Sequence, residues 1–212
     1  MFKNRKEAGK EIAQKLASYR GMNAVVLALP RGGVVVGHEV AKALSLPLDI
    51  VAVRKIGHPS SPEYAVCALD EHGTRLCNES AIWDIDPAWL AAETERQTME
   101  ALRRARVYRG KRLPVEIAGA TALLVDDGAA TGLTMRAAIA AVRARGVQKI
   151  VVAVPVASVD AVRDFTKEAD EVVILEPPEE FRSAVGAHFR HFDQVEDKEV
   201  VRLLKASVRN AY

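Results

Sequence analysis

A chain of 212 residues suits one domain with an appendage or two small ones, and a 49% hydrophobic content supplies a core and excludes disorder. A net charge of +2 gives no general attraction for nucleic acid, and no apolar run approaches the ~20 residues that span a bilayer. The N-terminus, Met1-Phe2-Lys3-Asn4-Arg5-Lys6-Glu7, is charged and leads into an amphipathic pattern rather than a secretory signal, so a soluble, cytoplasmic protein is expected.

Residues 5–20 read as a helix with Ala8, Ile12, Leu16 and Tyr19 on one face. Val25–Leu29 reads as a buried strand, 33–45 as a helix and Asp49–Val53 as the next strand. The pattern breaks at Ile56-Gly57-His58-Pro59-Ser60-Ser61-Pro62-Glu63, a loop of turn formers with the composition of a lid. Tyr64–Asp70 and Gly73–Cys77 read as a hairpin carrying both cysteines, Cys67 and Cys77. A two-residue turn would set these on opposite faces and a three-residue turn would set them opposite each other; free thiols are expected in a cytosolic setting. Asp86-Pro87 opens a long helix over 87–110 as N-cap and first helical residue. The pattern resumes with strand 121–125, helix 133–145, strand 149–154, helix 158–167 and strand 171–175. Pro177-Pro178 starts an irregular stretch, and a last helix covers about 196–208. Strands alternating with helices predict an α/β fold with a parallel sheet.

The chemistry concentrates at Leu123-Leu124-Val125-Asp126-Asp127-Gly128-Ala129-Ala130-Thr131-Gly132-Leu133-Thr134. A buried strand ends in two carboxylates, and a small-residue turn then opens onto a helix. Such a turn exposes backbone N–H groups at the positive end of the helix dipole, which binds phosphate. Thr131 and Thr134 add hydroxyl donors. The carboxylates of Asp126 and Asp127 suit sugar hydroxyls or a hydrated Mg²⁺. Together they describe a site for a ribose 5-phosphate. A nucleotide P-loop would need a Gly-Lys-Ser/Thr ending, and a dinucleotide fold would need Gly-x-Gly-x-x-Gly; neither is present.

This segment closely resembles the phosphoribosyl pyrophosphate (PRPP) motif of type I phosphoribosyltransferases, and the tail Phe181–Phe192 resembles that of a group of bacterial predicted phosphoribosyltransferases. The resemblance implies a Rossmann-like core of about five parallel strands over 1–175. Residues 56–115 would be an inserted loop, hairpin and long helix, and 176–212 a small C-terminal hood with its helix. It implies transfer of the 5-phosphoribosyl group of PRPP to a nitrogenous base-like acceptor, with release of pyrophosphate and with Mg²⁺ as cofactor. Gly128, Ala129, Ala130, Thr131, Gly132, Leu133 and Thr134 would hold the 5-phosphate, and Asp126 and Asp127 the ribose hydroxyls, with Mg²⁺ reached indirectly. Homodimeric assembly is expected. A regulatory protein that binds PRPP or a nucleotide without turnover is the alternative.

Two further segments fit. Leu29-Pro30-Arg31-Gly32-Gly33 follows the first strand, and its glycines let backbone approach an anion while Arg31 supplies charge. The family places its pyrophosphate loop here, commonly with a strained peptide in it. Arg54 and Lys55, at the carboxyl end of the second strand, point towards the ligand crevice of an open α/β sheet and would share the pyrophosphate charge. One position departs from the pattern. Hypoxanthine–guanine enzymes carry an Asp directly before Thr-Gly, where this chain has Ala130, so 6-oxopurine specificity loses support. Glu63, in the turn-rich loop, is then the candidate acid. Phe181, Phe189 and Phe192 are expected to be core, His188 and His191 lack a third metal ligand, and the arginine-rich helix (Arg96, Arg103, Arg104, Arg106, Arg109, Lys111, Arg112) is expected to be a solvated or dimer face, not a nucleic-acid interface.

Overall fold

A computed structural model describes residues 1–208 and, within them, every side chain except those of Glu63 and Val208. In chain order, α1 (Arg5–Lys15) precedes β1 (Ala24–Ala28), α2 (Gly32–Leu44) and β2 (Leu48–Ile50). An inserted unit follows: β3 (Arg54–His58), β4 (Ser61–Leu69), β5 (Arg75–Cys77), the short α3 (Glu79–Ile82) and the long α4 (Pro87–Arg109). The alternating pattern then returns as β6 (Thr121–Val125), α5 (Leu133–Ala144), β7 (Lys149–Val154), α6 (Val159–Glu168) and β8 (Glu171–Ile174). Two 3₁₀ turns, Pro178–Glu180 and Val185–His188, lead to α7 (Asp197–Val208).

Five parallel strands form the main sheet in the order β2-β1-β6-β7-β8. Both faces are covered, which is why these strands read as continuous apolar runs. Val26, Ala28, Leu48, Ile50, Leu123 and Val125 point to one side, against Ile12, Leu16, Val36, Val40 and Leu44 of α1 and α2. Their neighbours Val25, Leu27, Leu124 and Val152 point to the other, against Met135, Ile139 and Val142 of α5 and Phe165 of α6. The C-terminal helix α7 does not extend the hood: Val200, Leu203 and Leu204 belong to the first of these cores.

The inserted unit is more ordered than its sequence suggests. Residues 56–63, expected as a mobile loop, form most of a hairpin in which Ile56 pairs with Cys67, Gly57 with Ala65 and His58 with Ser61. The register shifts around Gly57, where a Cβ would collide with the carbonyl of Pro62. Cross-strand pairing has overridden local turn propensity there. Likewise, the second strand stops at Ile50, and Arg54 and Lys55 open β3 of a separate three-stranded sheet. Cys67 and Cys77 face each other across β4 and β5 and form a disulfide, correcting the expectation of free thiols. The reason lies in the turn. Leu69 pairs with Arg75, so the connection is 70–74, an odd number of residues that keeps the cysteines in register. Asp70 shapes that turn by accepting the N–H groups of His72 and Thr74 at 3.0 and 2.8 Å.

A buried ion network fastens this unit to the core. Arg109, at the end of α4, donates to Asp49 of β2 at 2.8 Å, to Glu71 of the β4–β5 turn at 2.9 Å and to the Ile50 carbonyl at 2.8 Å. The remaining carboxylate oxygens accept backbone N–H groups from Val115 and Ala52. Each charge of this network is therefore paired and hydrogen-bonded, the condition under which burial is tolerated. Several of the arginines on and just after α4 are engaged by neighbours. Arg96 pairs with Glu93, Arg103 and Arg104 pair with Glu100, and Arg112 caps carbonyls of Leu48 and Leu204.

Candidate functional site

The register of the two central strands builds the site. Ala28 of β1 stands level with Val125 of β6, and the Leu29 N–H continues the ladder to the Val125 carbonyl at 2.9 Å. The loops that follow, 29–33 and 126–132, therefore leave the sheet side by side at its carboxyl edge, where open α/β sheets bind ligands. They touch through glycine. A Cβ on Gly33 would lie 2.7 Å from Asp126 Oδ1, and one on Gly32 would fall inside the Asp127 carboxylate. The Pro30–Arg31 peptide bond between them and β1 is cis.

Only the second half of the 126–134 turn leaves a run of amides without an acceptor among the described residues. Ala129 donates its N–H to the Val156 carbonyl at 2.9 Å, so it is withdrawn from the set expected to hold phosphate. Gly128 serves packing, since a Cβ there would come within 2.5 Å of Val185 in the hood and 2.8 Å of Val156. From Ala130 to Thr134 the amides meet no acceptor among the described residues, and the first helical bond is Arg136 N–H to Gly132 O at 2.9 Å. Gly132 is left-handed at φ 71° and packs its bare Cα on Phe165 and Ala161. Both conditions call for glycine. Thr131 is exposed and Thr134 partly so.

Electrostatics separate the two acids. Asp126 Oδ1 accepts the Asp127 N–H at 2.8 Å. Burial, then the neighbouring charge of Asp127, pushes the Asp126 carboxyl well above the usual carboxylate range. Asp127 is bound instead by a residue that the sequence did not single out: Arg5 Nε donates to its Oδ2 at 2.6 Å. No local pattern couples positions 5 and 127; the contact exists because α1 packs on α2, which follows the glycine loop.

The remaining candidates do not all converge. Lys55 is exposed and lines a cavity of about 620 Å³ with Tyr64, Ala65, Cys77, Thr131 and Leu133. Arg54, its neighbour on the pleat, faces the other way. It donates to Gln97 Oε1 of α4 at 2.9 Å and borders a groove of about 720 Å³ beside Arg96, Arg103 and Arg106. Burial, and next the charge of Arg104, pushes its guanidinium down from the ordinary value. Arg31 lies 3.6 Å from Asp197 of α7, which also accepts the Tyr108 hydroxyl at 2.8 Å. Glu63 stands in β4, with its side chain outside the described part. The hood aromatics are core-like: Phe189 packs on Phe2 and Phe192 at ring distances of 5.5 and 5.0 Å. His188 is buried, bonded to Glu176 and accepting the Arg182 N–H at 2.9 Å. No cluster of three or more His, Cys, Asp or Glu placed to hold a metal occurs among the described residues.

A five-stranded parallel sheet with a carboxylate pair and a glycine loop at its carboxyl edge defines an open α/β domain of the kind that receives ligands at that edge. The family model for the phosphoribosyl transferase domain matches residues 2–190, and the chain belongs to that family. Two Mycobacterium tuberculosis sequences, from strains CDC 1551 and H37Rv and both provisionally named phosphoribosyl transferases, are 44% identical over 212 residues. The match covers 99% of this chain and 48% of each relative, so the chain spans about half the length of the curated relatives it matches. A crystal structure from Thermus thermophilus is 43% identical, covers 96% of this chain and 97% of its own, and superposes with a TM-score of 0.82. Among the described residues no helix is long and apolar enough to cross a membrane.

Proposed function

We propose that this domain binds PRPP and transfers its phosphoribosyl group to a nitrogenous base-like acceptor, releasing pyrophosphate. The observation that carries the reading is the contact between the two loops: Gly32 and Gly33 lie directly against Asp127 and Asp126. A pyrophosphate subsite and a ribose subsite would thus share one wall, as the direct bond from ribose C1 to the diphosphate of PRPP requires. The free amides of 130–134 with the Thr131 and Thr134 hydroxyls would take the 5-phosphate, at the N-terminus of α5. Asp126 and Asp127 would accept the ribose hydroxyls. Arg31, the amides of Gly32 and Gly33, and Lys55 from the opposite wall would hold the diphosphate.

Breaking the bond from C1 to the diphosphate leaves positive charge on the sugar, an oxocarbenium-like state that nearby carboxylates stabilise. The leaving group carries the compensating charge, which the cations and amides of the first loop would meet. Mg²⁺, when bound, would supply charge to that diphosphate. Two carboxylates alone do not make a cage for it, but they fit an ion whose other ligands are water and substrate oxygens. Asp126 and Asp127 are the residues that would hold it. Ala130 leaves no acid before Thr131, so hypoxanthine and guanine are expected to be poor acceptors. Glu63 is the acid we assign to proton transfer, so Glu63→Gln should lower kcat and spare PRPP affinity.

The test is pyrophosphate release from PRPP with Mg²⁺ across a panel of purine and pyrimidine bases. Base-dependent release is expected. Tight PRPP binding with no release for any base would instead favour a regulatory domain, a reading that draws on the engagement of Asp127 by Arg5.

A further inference from the structure

Arg5 opens α1, yet its guanidinium meets three separate parts of the site. Its Nε donates to Asp127 Oδ2 at 2.6 Å, and a terminal nitrogen donates to the Asp193 carbonyl at 2.8 Å. Its Cζ lies 3.7 Å from the centre of the Phe192 ring. Both partners of the ion pair are withdrawn from solvent, their side chains 12% and 15% exposed. The pair also packs under the first loop, because a Cβ on Gly32 would come within 2.9 Å of Arg5 Nε. One planar group thus makes an ion pair, a carbonyl hydrogen bond and a stacking contact with its face. A lysine ammonium has donors but neither the planar face nor the fixed fork needed to make all three contacts at once.

Apart from Arg5, the 189–193 segment is anchored at its start, where Phe189 bridges to Phe2 and packs on it. Residues 189–193 form no helix or strand. Their backbone is tied to the N-terminus by Arg190 N–H to the Phe2 carbonyl at 2.9 Å and His191 N–H to the Lys3 carbonyl at 3.1 Å. The Arg5 guanidinium, moreover, is the counter-charge that fixes the direction of the Asp127 carboxylate. Arg5 engages Oδ2, which leaves Oδ1 to accept a ligand hydroxyl.

We propose that Arg5 is a positioning residue that couples the ribose subsite to the hood: it aims Asp127 at a ribose diol and, through the same guanidinium, seats the 189–193 segment beside it. The inference rests on the reading of 126–134 as a phosphoribosyl site. A ligand that engages Asp127 is then felt at the hood, and the hood forms around an acceptor only while Arg5 is in place.

The experiment compares the wild type, Arg5→Ala and Arg5→Lys by calorimetry with PRPP and Mg²⁺, and by amide exchange at Arg190 and His191 in the same preparations. Removing a charge-assisted contact should weaken PRPP binding about tenfold or more and speed exchange at both amides. Guanidinium ion, added at a concentration that leaves the wild type unaffected, should restore affinity and protection to Arg5→Ala. Arg5→Lys should recover affinity in part and protection not at all. Should Arg5→Ala fail to fold, Phe192→Leu removes the stacking partner and should show the same pair of changes more weakly. Wild-type affinity in Arg5→Ala, lost affinity without faster exchange, or no rescue by guanidinium would each overturn the coupling. Absence of PRPP binding by the wild type would overturn the phosphoribosyl reading itself, and the ligand-free exchange data would distinguish that failure from a failure of the Arg5–hood contact.

Discussion

Gly32 has no side chain because Asp127 occupies the volume that one would fill. Gly32→Ala should therefore displace Asp127 and Arg5 together. Misplacing a substrate contact by about 1 Å costs on the order of a hundredfold in rate, and a fall of that size in pyrophosphate release, with little change in unfolding midpoint, is expected. The double variant Asp126→Asn/Asp127→Asn should abolish release and remain folded, since both carboxylates lie at the edge of the sheet beyond its core. Asp126→Asn alone separates stability from function. Its carboxyl titrates higher in the folded protein than in the unfolded chain, so the folded state is favoured while both are protonated and loses ground as pH rises through the raised value. The amide keeps an oxygen for the Asp127 N–H and cannot ionise. Measured without divalent cation, Asp126→Asn should be more stable than the wild type near neutral pH and indistinguishable from it below about pH 4.

At the scale of elements, the sequence was legible wherever one local rule operated. The parallel strands show as apolar runs, and α4 begins at Pro87 behind Asp86, whose side chain accepts the Ala88 N–H at 3.0 Å. The acids and the glycine turn before α5 fall where their spacing put them. Residues 54–63 were misread because Gly57, Pro59 and Pro62 signal turns, whereas their conformation is set by pairing with 61–69 across the sheet. Arg54 and Lys55 are successive residues of β3, so the pleat sends their side chains to opposite faces and only one of them can reach the crevice. The pleat predicts different phenotypes. Lys55→Ala should weaken PRPP more than a nucleoside monophosphate, which lacks the diphosphate; Arg54→Ala should leave that ratio near the wild type and loosen α4 by removing the bond to Gln97. Equal losses for both ligands in Lys55→Ala would place that ammonium elsewhere. Ala129 departs from expectation for a related reason: its N–H goes to the Val156 carbonyl in the loop after β7, a partner that sequence proximity does not reveal.

Across the whole molecule, the least legible residues are those whose partners are distant in the chain. Arg109 reads as one more cation on a basic helix, yet it is 7% exposed and holds Asp49 and Glu71. Arg109→Met should destabilise the fold by about 3–5 kcal/mol, because it strands two buried carboxylates. Chemical denaturation would read this as a lower midpoint with an unchanged slope. Arg5 and Asp127 belong to the same category, as do the hood and the N-terminus, joined where Phe2 pairs with Phe189. That last pairing has a consequence for how the chain is made. Most of the domain is synthesised between Phe2 and Phe189, and β1 must wait for β6 to emerge before it has a neighbour on its second side. The crevice between the 29–33 and 126–132 loops therefore cannot be assembled piecemeal on the ribosome; Phe2 and Arg5 stay without their full set of partners until the 189–193 segment has been translated.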